Sequence, residues 1–337
     1  MKCYHTDGHG IENLKLIDCQ APASPSEREV IIDVKACSLN YRDLLVAKGQ
    51  YSPGTYPRFI PLSDMAGVVR SIGNKVTELK VGDSVLNSPF RHWPAGILQS
   101  SWARSFIGGA GVDGVLAEQI VYPVDSLVKI PKGLNFVEAA TLPIAGLTAW
   151  AAVVTHGKTR PGEWVLLQGT GGVSIFAAQL AHAIGARTIV MTSSDEKAKQ
   201  IKERYGVTAT VNYQSNDWPK KVKELTQDHG VDLVVDVVGG NTFTQCLPLC
   251  TYGARVAIIG ILGGTESSLR TFDIIQHQIE MKGIFMESTQ ELQAFVNAIE
   301  ANHLKPAIDK SFSFADAIEA YRHLEAQKHI GKVVIAF

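Results

Sequence analysis

The chain has 337 residues, of which 45% are apolar and 19% charged, with a formal net charge of −1. Such a composition suits a folded chain with room for two domains and sizeable cores, and excludes a disordered or fibrous one. A balance this close to neutral offers no basic field to nucleic acid and no polybasic segment to anionic lipid, so neither partner is expected.

Short strands come first. Val30–Ala36, Gly67–Ile72 and Gly82–Leu86 are each closed by Gly, Pro, Asn or Asp signals. Strands at this spacing indicate an antiparallel or barrel-like domain over residues 1–122. Ser88 to Gly114 has little periodicity and contains Trp93, Pro94, Trp102, Gly108, Gly109 and Gly111. Segments of that length without regular structure are usually functional or mobile, which places this one as a loop near the active site that controls substrate size. From Val137 the pattern changes to apolar helix, glycine and strand. Strands are expected at Trp164–Leu167, Gly185–Thr192, Ala209–Asn212, Val231–Val238, Ala254–Gly260 and Glu280–Phe285. Helices between them are Val173–Ile184, Asp195–Tyr205, Pro219–Gln227 and Thr242–Cys250. Alternation of this kind makes a six-stranded, doubly wound parallel sheet over residues 123–288. The tail, residues 289–337, returns to the first domain with helices at Gln290–Ala301 and Phe314–Gln327 and a strand at Lys332–Ala336.

The chemistry-bearing stretch is Trp164 to Ser174. An apolar strand runs into Gly169-Thr170-Gly171-Gly172-Val173, and a helix follows. This is the phosphate site of a dinucleotide fold. Gly169 permits the tight turn, and Gly171 lets backbone approach a pyrophosphate without a Cβ in the way. The helix start supplies unpaired N–H groups and a positive dipole end. Ser174 replaces the third glycine of the fingerprint, so helix and strand are expected slightly further apart there.

Five cysteines, Cys3, Cys19, Cys37, Cys246 and Cys250, are an odd number scattered over a large chain and read as reduced thiols. Met1 to Gly10 is polar and carries no apolar signal region. Ala139 to Thr155 is apolar but interrupted by Thr141, Pro143, Gly146 and Thr148, and spanning a bilayer takes about 20 apolar residues. A soluble, cytoplasmic protein is expected. His5-x-x-x-His9 has helical ligand spacing, yet in a polar terminus it reads as two solvated histidines.

An all-β start, a central dinucleotide sheet and a C-terminal return together resemble the medium-chain dehydrogenase/reductase superfamily over nearly the whole chain. The landmarks are Ala36-Cys37-Ser38-Leu39-Asn40-Tyr41-Arg42-Asp43, Pro61 to Gly67, Lys80-Val81-Gly82-Asp83-Ser84-Val85, Glu138 to Trp150, and Gly331-Lys332-Val333-Val334. The resemblance implies a GroES-like β-barrel catalytic domain beside a Rossmann domain. Zinc alcohol dehydrogenases hold their catalytic metal with cysteine, histidine and cysteine at three such landmarks, occupied here by Asn40, Asp64 and Ile144. An isoleucine cannot ligate, and Ser88 to Gly114, where the structural zinc lobe would fall, has no cysteine. No metal is expected. Asn40, Asp43 and Tyr51 are similar to the zinc-free quinone oxidoreductase branch, although Ser63-Asp64-Met65 departs from its usual glycine-x-glutamate.

The cofactor is decided at the end of the second strand of the sheet. An NAD enzyme presents a carboxylate there to the ribose 2′-OH, whereas this chain has Thr192, then Ser193, Ser194 and Lys197. Hydroxyls and an ammonium can receive a 2′-phosphate that a carboxylate would repel. Lys197 and Tyr213 match residues that the quinone oxidoreductases place on that phosphate, so NADPH is expected over NADH. The competing reading is that Ser194 only caps the helix.

Without zinc, simple alcohol oxidation loses its means of acidifying the hydroxyl. Reducing a conjugated acceptor needs only positioning, hydrogen-bond donors and a proton. Candidate catalytic residues are Asn40, Tyr41, Tyr51, Asp43 as an orienting group, and Asp64. Thr148, by resemblance, lies at the nicotinamide; Val237, Val238, Gly260 and Ile261 end strands where ligands bind open α/β sheets. The expectation is hydride transfer from NADPH to a quinone or α,β-unsaturated carbonyl. Alternatives are a metal-free alcohol dehydrogenase and a non-catalytic NADPH-binding redox sensor. A homodimer through the sixth strand is implied by the resemblance.

Overall fold

The computed structural model describes residues 1–51, 57–109 and 111–337. In chain order the strands are β1 (Lys2–His5), β2 (Lys15–Asp18), β3 (Glu29–Leu39), β4 (Asp64–Ile72), β5 (Ser84–Asn87), β6 (Gln119–Pro123) and β7 (Leu127–Lys129). There follow β8 (Trp164–Gln168), β9 (Arg187–Thr192), β10 (Ala209–Asn212), β11 (Val231–Asp236), β12 (Cys250–Ile258) and β13 (Glu280–Gly283), then β14 (Ile308–Ser313) and β15 (Lys332–Ala336). Contacts divide the chain into two compact units, Met1–Leu147 with Glu287–Phe337, and Thr148–Met286.

The first unit is built on a seven-stranded sheet in the order β14-β15-β3-β4-β5-β7, with β6 also paired to β3. Only β14 and β15 run parallel; the other pairs are antiparallel. Long β3 is the spine, and two register shifts against β4, at Ile31/Ile32 and Val34/Ala36, bend the sheet. Its apolar face packs under the helix Ala317–Glu325, whose Ala317, Ala320, Tyr321 and Leu324 join the core of β3 and β15. Residues 123–147, grouped by sequence pattern with the second domain, pack in this unit. There β7 pairs with β5, and the turn of helix Phe136–Ala139 lies on β3, β4 and β15. The pattern changes at Val137, whereas the contacts change at Thr148.

Two expectations for the N-terminus are corrected. It forms a strand, with Cys3 and Tyr4 buried, and β2 pairs antiparallel to it. That pairing carries Cys19 back beside Met1, and Cys3 and Cys19, with Cα atoms 6.2 Å apart, form a disulfide. Five separate thiols are therefore not what the fold holds: Cys37, Cys246 and Cys250 are the buried free ones. His5 sits on a strand rather than a helix and is half-buried, while His9 is exposed. The long segment from Ser88 to Gly114 is anchored by buried Phe90, Trp93 and Ile107 and includes a short helical turn at Ser100–Ala103. Ala110, within it, lies outside the described residues.

The second unit is a parallel sheet in the order β10-β9-β8-β11-β12-β13, with helices in the connections. The central strand β8 is buried along its whole length, as a parallel strand covered on both faces must be. Fully burying each such valine or leucine contributes about 1.5–3 kcal/mol. Strand order reverses between β8 and β11, the switch point where open α/β sheets bind ligands. β11 stops at Asp236, short of Val238, because the Asp236 carboxylate draws the next amides out of the ladder. Its Oδ1 accepts from Val238 N at 3.3 Å and Gly239 N at 3.0 Å. Gly239 and Gly240 then take left-handed φ values of 72° and 57°. No helix among the described residues is long and apolar enough to cross a membrane.

Candidate functional site

In the first unit, the end of β3 and the start of β4 bring three polar side chains together. Ser38 and Asp64 are register partners, and Asn40 follows β3 directly. Asp64 is thus the first residue of a strand, with its carboxylate fully buried. Its Oδ2 accepts from Ser38 Oγ at 2.9 Å and from Asn40 Nδ2 at 2.8 Å. A fourth member went unnoticed in the sequence. Lys332, at the head of β15, sends Nζ to Leu39 O at 2.7 Å, Asn40 Oδ1 at 2.6 Å and Asp64 Oδ2 at 3.4 Å. Its visible signal is a lysine opening the apolar run Val333-Val334-Ile335-Ala336, where solvation is impossible. Burial pushes the Asp64 carboxyl up, opposed by the Lys332 ammonium and the bonds from Asn40 and Ser38. Burial likewise pushes Lys332 down, opposed by Asp64 and Asp43.

Asn40 also heads the helix Tyr41–Ala47. Its backbone N–H donates to Asp43 Oδ2 at 2.8 Å, so Asp43 caps the helix as well as orienting the segment. Burial raises Asp43 to about 6, against the pull of Arg42 and the Asn40 N–H. Arg42 reaches Asp43 Oδ1 at 3.0 Å, Gly108 O at 3.2 Å and Ser63 Oγ. Its guanidinium carbon lies 4.7 Å from the Tyr51 ring and 4.4 Å from the Phe106 ring. Asn40, Asp43, Tyr51 and Asp64 therefore belong to one cluster, joined by Arg42 and Lys332. Tyr41, also a candidate, is 37% exposed. The segment around Gly108 meets this cluster through Arg42 and through Ile107 O, which accepts from Ser63 Oγ at 2.8 Å.

These residues do not form a zinc donor set. Neither thiolate nor imidazole is among them, and Ile144, on a wide helical turn that packs on β4, is apolar and buried. Asp64 Oδ2 is bound to three donors, while Oδ1 is buried with no hydrogen-bond partner among the described residues. One carboxylate oxygen and an amide already bonded to a lysine leave no tetrahedral set. The positive charge that balances Asp64 is the ammonium of Lys332.

In the second unit, Gly169 turns the chain at φ 74°, and Gly171 precedes the helix Gly172–Ile184. A Cβ built on either glycine would meet nothing within 4 Å, so open space lies over this turn. The first bond into the helix is Ile175 N to Gly171 O, leaving the amides of Gly172, Val173 and Ser174 at its start. Thr170 is buried beside them. Ser174 does more than occupy the third glycine's place: its Oγ donates to Gln168 O at 2.6 Å and ties helix to strand. At the end of β9, Thr192 O accepts from Tyr213 N at 3.2 Å, which brings those two residues together. Thr192 Oγ1 accepts from Ser194 N, and Ser194 Oγ accepts from Lys197 N, both at 3.2 Å. Ser194 thus does cap its helix; Ser193 and Tyr213 are exposed and Lys197 half-buried.

Val237 and Val238 are held by a residue not anticipated, Gln168, whose Oε1 accepts from Val238 N at 3.1 Å across the switch point. Gly260 is obligatory, since a Cβ there would overlap the Val237 carbonyl, and Ile261 beyond it is exposed. Thr148 is buried in the short helix Leu147–Trp150, between two wide π-helical turns, Leu142–Gly146 and Ala151–Thr155. Turns of that kind are frequent at functional sites. The open glycine turn, free helix start and switch-point loops fit a dinucleotide.

A dinucleotide cradle with a separate polar cluster of this make-up defines a nicotinamide-dependent oxidoreductase. Residues 26–132 match the alcohol dehydrogenase GroES-like domain family and residues 172–301 the zinc-binding dehydrogenase family. A zinc-type alcohol dehydrogenase-like protein of Schizosaccharomyces pombe is 36% identical over 338 residues, covering 98% of this chain and 97% of that one. An acryloyl-coenzyme A reductase of Sulfurisphaera tokodaii is 30% identical over 320 residues, covering 92% and 93%. A crystal structure described as an alcohol dehydrogenase of Sinorhizobium meliloti superposes with a TM-score of 0.92 at 36% identity, covering both chains fully. The chain belongs to the medium-chain dehydrogenase/reductase superfamily.

Proposed function

We propose that this enzyme is a zinc-independent, NADPH-dependent reductase of quinones or α,β-unsaturated carbonyls. The observation that carries the reading is the Lys332 ammonium bonded to both Asn40 and Asp64, which neutralises the buried carboxylate without a metal. A site lacking a Lewis acid is suited to acceptors whose developing charge delocalises into an enolate or hydroquinone. The name of the acryloyl-coenzyme A reductase relative, a reductase of an activated alkene, supports the same class.

When bound, the dinucleotide supplies a hydride from its nicotinamide C4. The amides of Gly171, Gly172 and Val173 hold its pyrophosphate at the helix start. Thr192, Ser193, Lys197 and Tyr213 receive the 2′-phosphate, where no carboxylate ends β9. Asn40 is the donor for the acceptor oxygen. One of its two Nδ2 hydrogens goes to Asp64, and the network around it keeps the second pointed for use. Tyr51, steadied by Arg42, is the phenolic donor.

The chain is proposed to pair with a second copy along the outer edge of β13, the last strand of its sheet. Exposed Tyr252, Phe272 and Ile275, at 69%, 61% and 71%, lie in the elements around that strand. Light scattering of the protein and of Ile275→Glu tests this; a monomeric wild type would remove it.

NADPH and NADH titrations of chelator-treated protein, with 1,4-benzoquinone and an enone assayed in parallel, test the function. NADPH-dependent turnover indifferent to chelation is expected. Activity restored only by added zinc, or oxidation of simple alcohols in preference to enone reduction, would overturn it.

A further inference from the structure

Cys3, His5 and Cys19 belong to neither cluster described above. Alternation along β1 puts Cys3 and His5 on one face of the strand. Cys3 pairs with Ile17 on β2, and Cys19, two residues further on, returns to that same face. The two Sγ atoms and an imidazole nitrogen all lie within 4.8 Å of one another, the one such group of three His, Cys, Asp or Glu side chains among the described residues. Cys3 is fully buried under its bridge to Ala117, while His5 and Cys19 are half-buried, so solvent reaches the group from their side.

We propose that, once the Cys3–Cys19 bond is reduced, these three side chains form a Zn²⁺ site. Two thiolates and an imidazole are the soft donor set that zinc takes, with water completing the tetrahedron from the open side. Zinc bonds of about 2.0–2.3 Å place tetrahedral ligand atoms roughly 3.3–3.8 Å apart. The imidazole nitrogen already lies within 4.8 Å of both sulfurs, which part to that separation once their bond is broken. Disulfide and metal are exclusive occupants, because both use the same sulfur electron pairs. A dithiol reductant delivers two electrons and two protons to the bond, yielding two Cys thiols and its own disulfide. Metal binding then displaces both thiol protons, and the cation meets two thiolates with no net charge left over. The hairpin β1–β2 is thus closed covalently under oxidising conditions and by a metal under reducing ones.

Anaerobic titration of the TCEP-reduced full-length protein with Co²⁺ tests this spectroscopically, independently of turnover. One equivalent should raise a thiolate-to-cobalt charge-transfer band with tetrahedral d–d bands, both abolished by stoichiometric Zn²⁺. Cys19→Ser should eliminate the charge-transfer band, and His5→Gln should weaken binding by roughly tenfold or more. Diamide-oxidised protein should bind none, and Cys37→Ser should behave as wild type. Because Cys3 is buried, the test rests on the half-exposed Cys19 and His5, with circular dichroism establishing that each variant is folded. A reduced protein without the thiolate band, or folded Cys19→Ser or His5→Gln binding like wild type, overturns the proposal and leaves a disulfide only.

Discussion

Lys332 Nζ donates to Asn40 Oδ1 at 2.6 Å, joining side chains 292 positions apart. With Oδ1 on an ammonium and Nδ2 on the Asp64 carboxylate, the amide has one orientation that satisfies both. The last strand of the chain therefore sets the direction of a side chain near its beginning.

Replacing Lys332 by Met should be costly, since it strands the Asp64 charge in the core. Breaking one side of a buried pair typically costs about 3–5 kcal/mol. Asp64→Asn in the same chain should recover much of it, because the remaining groups are neutral. Urea unfolding of the single and double variants measures the coupling; a cost below about 1 kcal/mol for the single change would mean the ammonium is not balancing Asp64.

Asp43 gives the protein a pH signature of definite sign. Its folded-state pKa, about 6, is above the 3.8 of an ordinary aspartate, so the native state holds the extra proton between those values. Stability from this group is therefore greatest at low pH and is lost as pH rises through about 6. Asp43→Asn keeps an oxygen for the Asn40 N–H but does not titrate. The difference in unfolding free energy between the two proteins should change with pH only between 3.8 and about 6. A difference flat across that window would show that Asp43 titrates normally.

Two glycines separate folding from binding. Gly171 has open space around it and φ −74°, so alanine fits the folded chain and should leave stability within about 1 kcal/mol of wild type. The same methyl group points where the pyrophosphate is proposed to lie, and NADPH affinity should fall by at least roughly tenfold, about 1.4 kcal/mol. Gly260→Ala, by contrast, drives a methyl into the Val237 carbonyl and should lower the melting temperature. Calorimetry and fluorescence titration distinguish the two; unchanged affinity in Gly171→Ala would move the phosphate elsewhere.

Lys197→Ala addresses the choice of nucleotide. Loss of one charge-assisted bond, worth about 1.5–3 kcal/mol, should weaken NADPH roughly 10–100-fold and leave NADH nearly unchanged. Equal losses for both would mean that Lys197 supports the helix start rather than the 2′-phosphate.

Much of the second unit was legible because its physics is local. A parallel strand covered on both faces is a continuous apolar run, as at Trp164 to Leu167, and β10 has the bounds expected of it, as does β15 in the first unit. The glycine turn is local too. Strand ends are less local: the apolar pattern carries β11 on to Val238, whereas the Asp236 side chain, not a glycine or proline, withdraws the amides two residues earlier. β1 and β2 escaped notice because four-residue strands with lysine, histidine and aspartate carry little pattern. Lys332 could not be placed from its own surroundings, since a lysine in an apolar strand makes sense only with Asp64, 268 positions earlier. Nor could Ser194 be divided between capping and phosphate binding without its bond to Lys197 N.

The pairing of β3 with β15 has a consequence for biosynthesis. The partner of residues Ala36 to Leu39 lies at Val333 to Ala336, with the whole second unit encoded between them. At about 5–20 residues per second, a ribosome needs roughly 15–60 s to make the intervening chain. Throughout that interval the Ala36–Leu39 stretch of β3 lacks its edge partner in the nascent chain, while β6 already covers Glu29–Asp33 of the same edge, so a short surface is left for a chaperone to cover until β15 emerges.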